Sequence, residues 1–160
     1  NEGRNTLYRP SVQNPWVLYV GDLDRNMNEE QVICITENGK EYPLAQYLDL
    51  AKQVPSIRKK APDFNSYKDM SVMELFDKES LSKSKRLQVT ELTSSVFINE
   101  SGKKFTQIPL PDEAQFSKIY SILVLDFNKD QNPDLIVGGN EAIAKPEWGI
   151  QSASCSNVLK

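Results

Sequence analysis

The feature that most restricts what this chain can fold into is a nine-residue acidic pattern that occurs twice between short β-type runs. Asp126-Phe127-Asn128-Lys129-Asp130-Gln131-Asn132-Pro133-Asp134 places oxygen-bearing side chains at alternate positions and closes on a carboxylate. Asp22-Leu23-Asp24-Arg25-Asn26-Met27-Asn28-Glu29-Glu30 repeats that spacing. Residues 16–20 and 119–125, both apolar and β-favouring, precede the two loops, and residues 31–36 and 135–137 follow them in the same style. The expected unit is therefore strand, acidic loop, strand.

Carboxylates crowded in this way repel one another unless a cation sits among them. Calcium takes about six to eight oxygen ligands from carboxylates, amides, backbone carbonyls and water. In the second loop, Asp126, Asn128 and Asp130 would offer side-chain oxygens, Asn132 its backbone carbonyl, and Asp134 would close the site. In the first, Asp22, Asp24 and Asn26 are the side-chain ligands, Asn28 the carbonyl donor and Glu30 the closing carboxylate. Met27 and Gln131 stand where glycine would ease a tight turn. Neither loop is an EF-hand, because Ile33 and Val137 occupy the twelfth position where that motif needs Glu. The alternative for both is a polar turn with incidental acids.

Composition narrows the function. The 160 residues are 39% hydrophobic and 26% charged, the proportions of one ordinary domain or a piece of a larger protein. Nineteen basic against 22 acidic residues give a net charge of -3, which argues against nucleic-acid binding through bulk positive charge. There is no histidine, so Ser-His-Asp and Cys-His nucleophile systems and His-ligated zinc are excluded. Cys34 and Cys155 are too few for a disulfide framework; they read as small core residues, with one disulfide as the alternative. No apolar run approaches the roughly 20 residues of a membrane helix. The start at Asn1 without a leader, and the stop just after an apolar approach at residues 156–159, read as cuts in a longer protein.

Between the loops the pattern changes. Asn38-Gly39 marks a hairpin, and from Pro43 onward Leu44, Tyr47, Leu48 and Ala51 recur at helical spacing until Pro55. Ser71 with Glu74 forms a capping-box signal ahead of Leu75 and Phe76. Most of the basic surplus lies here, at Lys52, Arg58, Lys59, Lys60, Lys83, Lys85 and Arg86, and reads as a solvated helical face, with contact to an anionic partner as the alternative. Strands resume near residue 87, with a hairpin turning at Glu100-Ser101-Gly102 and a strand of buried type at 119–125. The expected division is a first sheet region at 1–43, a helical insertion at 44–86 and a second sheet region at 87–160.

Strand, acidic loop and strand, followed by Gly138-Gly139-Asn140, resemble the FG-GAP/VCBS repeats whose blades form integrin-α-like β-propellers. Ser94-Ser95-Val96-Phe97-Ile98-Asn99 before Gly102-Lys103-Lys104-Phe105 is similar to that family's hairpin, and Leu110-Pro111 with Ala114-Gln115-Phe116-Ser117 to the segment entering its next loop. Asn1-Glu2-Gly3-Arg4-Asn5 and Gly39-Lys40-Glu41-Tyr42-Pro43-Leu44 resemble secreted bacterial proteins with VCBS/ASPIC-type repeats. The resemblance spans nearly the whole chain and is most specific from Ser94 to Asn140.

This resemblance implies a mainly β chain with a helical insertion, a partial β-propeller of about two blades of antiparallel sheet. It implies Ca2+ in a structural role at 126–134 and 22–30, and a secreted, cell-surface or periplasmic setting in the bacterial cell envelope. The function it implies is non-enzymatic binding of protein or glycan, with the rest of the propeller or another chain as partner. Trp148, Asn140, Glu141 and Lys145 are the candidate contacts, since an aromatic beside hydrogen-bonding groups suits a sugar face or a protein hot spot; packing of Trp148 between blades is the alternative. A second reading is an accessory subunit of an envelope assembly, docking through an uncovered patch at Leu44, Tyr47, Leu48, Leu75 and Phe76. An enzyme would need a carboxylate pair, which Asp22, Asp24 and Asp130 could supply, though their spacing suits metal ligation better.

Overall fold

The structure, a computed structural model, describes residues 2–145, 149–154 and 157–159. Among them are nine strands in three open antiparallel sheets and four short helices, a mainly β chain. The chain divides into two compact units, Pro10–Glu91 and Asn1–Arg9 with Leu92–Lys160.

In the unit Pro10–Glu91, strands β1 (Trp16–Gly21), β2 (Glu30–Glu37), β3 (Lys40–Pro43) and β4 (Lys85–Val89) form one sheet in the order β3-β2-β1-β4. The start of β2 alternates as a half-buried strand should: Glu30, Val32 and Cys34 are buried, Gln31 and Ile33 exposed. Asn38 and Gly39 link Glu37 to its cross-strand partner Lys40 with φ of 51° and 75°, a two-residue turn with both centres left-handed.

Between β3 and β4 the chain forms only helical segments: α1 (Tyr47–Gln53), a 3-10 turn at Pro55–Lys59, α2 (Phe64–Tyr67), α3 (Val72–Leu75) and α4 (Lys78–Lys83). Glu74 starts α3 by accepting from Ser71 N (2.8 Å) and Ser71 Oγ (2.6 Å), the carboxylate half of a capping box. Tyr47, Leu50, Val54, Ile57, Val72, Leu75, Phe76 and Leu81 join Val17, Tyr19, Leu23, Val32 and Cys34 in one core. The sheet thus covers most of the patch that docking through the helices would need; of its members only Leu48 is largely exposed. Helix ends at Lys83, and Lys85 and Arg86, expected on a helical face, instead open β4 and pair with Val20 and Tyr19 of β1. Cys34 is a buried free thiol; Cys155 lies outside the described residues.

In the other unit, β5 (Ser95–Glu100) and β6 (Lys104–Pro109) form a hairpin, and β7 (Ser121–Leu125), β8 (Asp134–Gly138) and β9 (Asn157–Leu159) form a sheet in that order. The hairpin turns through Ser101 and Gly102, at φ of 55° and 75°, and Gly102 N donates to Asn99 Oδ1 at 2.7 Å. Gln115, fully buried, ties its segments together. Its Oε1 accepts from Ser94 N, and its Nε2 donates to Ser94 O and Leu110 O, each at 2.9 Å. Its backbone carbonyl accepts from Arg4 N (3.0 Å) and Asn5 N (3.3 Å), so residues 2–9, read from sequence with the first sheet, pack with this unit.

One expectation fails here. The apolar run 119–125 reads as a buried strand, yet every residue of β7 is exposed, with Ile122 at 63% and Val124 at 59%. An apolar run shows that a strand gains by being covered, not that its own chain covers it. No helix among the described residues is long and apolar enough to cross a membrane.

Candidate metal centre

The two acidic loops, one in each unit, are built alike. β1 ends at Gly21, which pairs with Glu30 at the start of β2; β7 ends at Leu125, which pairs with Asp134 at the start of β8. In each case the first eight residues of the pattern connect the strands, and the ninth, the closing carboxylate, is the first strand residue. Glu30 is 4% exposed and Asp134 2%.

The internal hydrogen bonds also correspond. Glu30 Oε2 accepts from Leu23 N at 2.8 Å, and Asp134 Oδ2 from Phe127 N at 2.9 Å. Asp22 receives Asn26 N on one carboxylate oxygen (2.9 Å) and Met27 N on the other (3.0 Å). Asp126 receives Asp130 N (3.0 Å) and Gln131 N (2.9 Å) in the same way. Asn28 N donates to Asn26 Oδ1 at 2.7 Å, and Asn132 N to Asp130 Oδ1 at 2.8 Å. The fourth and sixth residues are left-handed in both loops, with φ of 64° and 68° at Arg25 and Met27, and 61° and 71° at Lys129 and Gln131. Non-glycine residues in this conformation cost roughly 1–2 kcal/mol each. The same exceptional backbone path is therefore adopted twice, held by short Asp and Asn side chains that bond to nearby amides.

The donor sets differ. Asp22, Asp24 and Glu30 each bring one oxygen within 4.8 Å of the others, the only such group of three among the described residues. Asp24 Oδ1 is buried there without a hydrogen-bond partner, a position a cation would satisfy. An all-oxygen set of three carboxylates fits a hard divalent ion. In the second loop Asn128 stands in place of Asp24, its Nδ2 donates to Asp130 Oδ2 at 2.8 Å and its Oδ1 accepts from Asp130 N at 3.0 Å.

The first loop has a support that spacing does not disclose. Arg25 leaves the loop to meet α4: its Nη2 lies 2.8 Å from Glu79 Oε2 and 3.9 Å from Asp77 Oδ2. Lys83, with Arg25 second, holds the Glu79 carboxyl below its ordinary range. Asp22, Arg25, Glu79, Ser80, Lys83 and Ser84 line a cleft of about 360 Å³.

The other candidate contacts are engaged differently. Asn140 clips Ser154, donating from Nδ2 to Ser154 O and accepting from Ser154 N, both at 3.0 Å. Glu141 accepts from Tyr120 Oη and from Ile143 N, so both side chains serve the local fold. Lys145 is exposed, and Trp148 lies outside the described residues. Compared with family models, curated proteins and solved structures, the chain finds no match.

Proposed function

We propose that this chain is a non-enzymatic, calcium-stabilised binding module, a partial β-propeller of about two blades in the manner of the FG-GAP/VCBS repeats. One observation carries the reading: two loops more than 100 residues apart share spacing, closing carboxylate, hydrogen-bond pattern and two left-handed residues. A repeated loop that bears strain at the same two positions is explained by a common ligand better than by two incidental turns. It is the resemblance to these repeats that favours a secreted, cell-surface or periplasmic setting. The apolar strands of the unit containing β5–β9 favour a partner, either further blades or another chain, with protein or glycan as the bound target. Docking through the helices is less favoured, because Tyr47, Leu75 and Phe76 are already in the core.

Calorimetric titration and thermal melts in calcium and in chelator test this. Calcium at about 100 times its Kd would stabilise the unit that binds it by about 2.7 kcal/mol. Glu30→Gln removes that gain at the first loop and Asp134→Asn at the second; each keeps an amide oxygen for the Leu23 or Phe127 amide, so each changes stability little in chelator relative to its loss in calcium. Identical melts in calcium and chelator, with no binding heat, would refute the proposal.

A further inference from the structure

The fourth position of each acidic loop carries a cation, Arg25 in the first and Lys129 in the second, next to residues read as ligands. A guanidinium is the protein's own rival to a metal ion at a carboxylate, because its fork of N–H donors matches two oxygens. Among the described residues Lys129 has no ion-pair partner. Arg25 has partners, and all of them belong to α4 or to the residue before it. Its Nη2 lies 2.8 Å from Glu79 Oε2 and 3.9 Å from Asp77 Oδ2, and its Nε donates to Oγ of the buried Ser80 at 3.4 Å. Lys83 Nζ holds the other Glu79 oxygen at 2.7 Å, which turns Oε2 toward Arg25. The helix is itself fixed beside the loop. A Cβ on Gly21, the residue before Asp22, would lie 3.0 Å from Ser84 Cβ, so the end of β1 and the cap of α4 touch.

We propose that Glu79, with Asp77, is a positioning residue for calcium at the first loop: it keeps the Arg25 guanidinium on α4 and off the loop's own carboxylates. This rests on the calcium reading and names what tunes that site. Asp22 lines the same cleft as Arg25 and Glu79, so the two carboxylates compete for one guanidinium. With Glu79 in place, Arg25 is drawn out of the loop, and Asp22, Asp24 and Glu30 converge with Asp24 Oδ1 free of any donor. Without Glu79, Arg25 pairs with the loop, and calcium must displace it. Arg25 and Glu79 are both more than half exposed, so the competition has the strength of a surface ion pair, about two- to fivefold in calcium Kd. The effect is specific to the first loop, since Lys129 has no such partner to draw it away.

Calorimetric titration with calcium in an Asp134→Asn background, where only the first loop reports, is the test. Glu79→Gln should raise the Kd by about two- to fivefold, with the gap narrowing as salt rises. Arg25→Gln should change the Kd little while Glu79 is present, and should restore it in the Glu79→Gln variant. That rescue separates positioning from mere support of the helix, because a Glu79 that only stabilised α4 would leave the double variant as weak as Glu79→Gln. Lys83→Gln, which removes a helix pair but leaves Arg25 its partner, should not raise the Kd. Two outcomes overturn the proposal and leave the calcium reading standing: an unchanged Kd in Glu79→Gln, or an Arg25→Gln effect that is the same with and without Glu79. An Asp134→Asn parent with no calcium heat and no calcium shift in its melt overturns both at this loop.

Discussion

Replacing Gln115 with Leu separates a side chain's volume from its hydrogen bonds. The residue is 1% exposed, and Leu fills a similar space, so the cavity cost is small. What is lost is polar pairing. Ser94 O keeps a second donor, Leu110 N at 2.9 Å, but Ser94 N and Leu110 O lose the partners that Gln115 supplied. Each buried backbone group left unpaired costs about 1–3 kcal/mol, so the expected loss is about 2–6 kcal/mol. A unit of about 80 residues has roughly 4–12 kcal/mol to lose, and with a urea slope near 1–1.5 kcal/mol/M its midpoint should fall by at least about 1.3 M. Hydrogen exchange at the amides of β5 and β6 reads this unit directly. Gln115→Glu should be worse than Gln115→Leu, because a carboxylate would face the Ser94 and Leu110 carbonyls. A Gln115→Leu variant within about 1 kcal/mol of the parent would refute the view that Gln115 holds these segments through its amide.

Two further outcomes follow from local geometry. Gly139→Ala would place Cβ 2.2 Å from Lys118 O and 2.6 Å from Tyr120 N, both backbone atoms; the expected cost is about 2 kcal/mol or more, and an unchanged thermal midpoint would contradict it. In the unit Pro10–Glu91, burial, with the bond to Glu41 second, pushes the Tyr19 phenol up to about 12, and burial also raises Cys34 to about 12 and Tyr67 above its ordinary value. Since each folded-state value is raised, this stabilisation is complete below the unfolded values and drains away as pH rises from about 9 to 12. Urea midpoints that stay level across that range would show these groups are not buried as described, and Tyr19→Phe should flatten part of the decline.

The fold was legible where local chemistry decides it. Asn38-Gly39 fixes a two-residue turn because both residues accept left-handed backbone, and Ser71 with Glu74 announces α3. Lys85 and Arg86 depart from the helical expectation because charge suggests exposure but not secondary structure. In β4 both are exposed, and it is pairing with β1, a contact far away in sequence, that makes them strand. The same non-local logic places Gly3, Arg4 and Asn5 beside Gln115. No periodicity within so short a segment could indicate it. β7 marks the opposite limit: its apolar character was legible, but burial belongs to a surrounding structure that the run itself does not encode.

The loops show how spacing and geometry divide the information. Alternation of oxygen side chains was visible, and with it the closing carboxylate. The left-handed fourth and sixth positions were not, because Arg25, Met27, Lys129 and Gln131 are poor signals for that conformation. All four side chains are exposed, Met27 at 93%, and none is packed in the core, so the cost is confined to the backbone. The first and ninth residues answer that cost. Asp22 and Asp126 each collect two amides from the turn, and Glu30 and Asp134 each hold the second residue's amide while starting the next strand. The loop is thus fixed largely by acceptors acting on its own backbone, leaving fewer lone pairs for a cation. At the first loop three carboxylates converge and Asp24 Oδ1 has no protein donor; at the second, Asn128 is already bonded to Asp130. Sequence spacing ranks the second loop higher, since it closes on Asp. The arrangement of acceptors reverses that order, and the two single-loop variants, Glu30→Gln and Asp134→Asn, compared for loss of calcium stabilisation, decide between spacing and geometry.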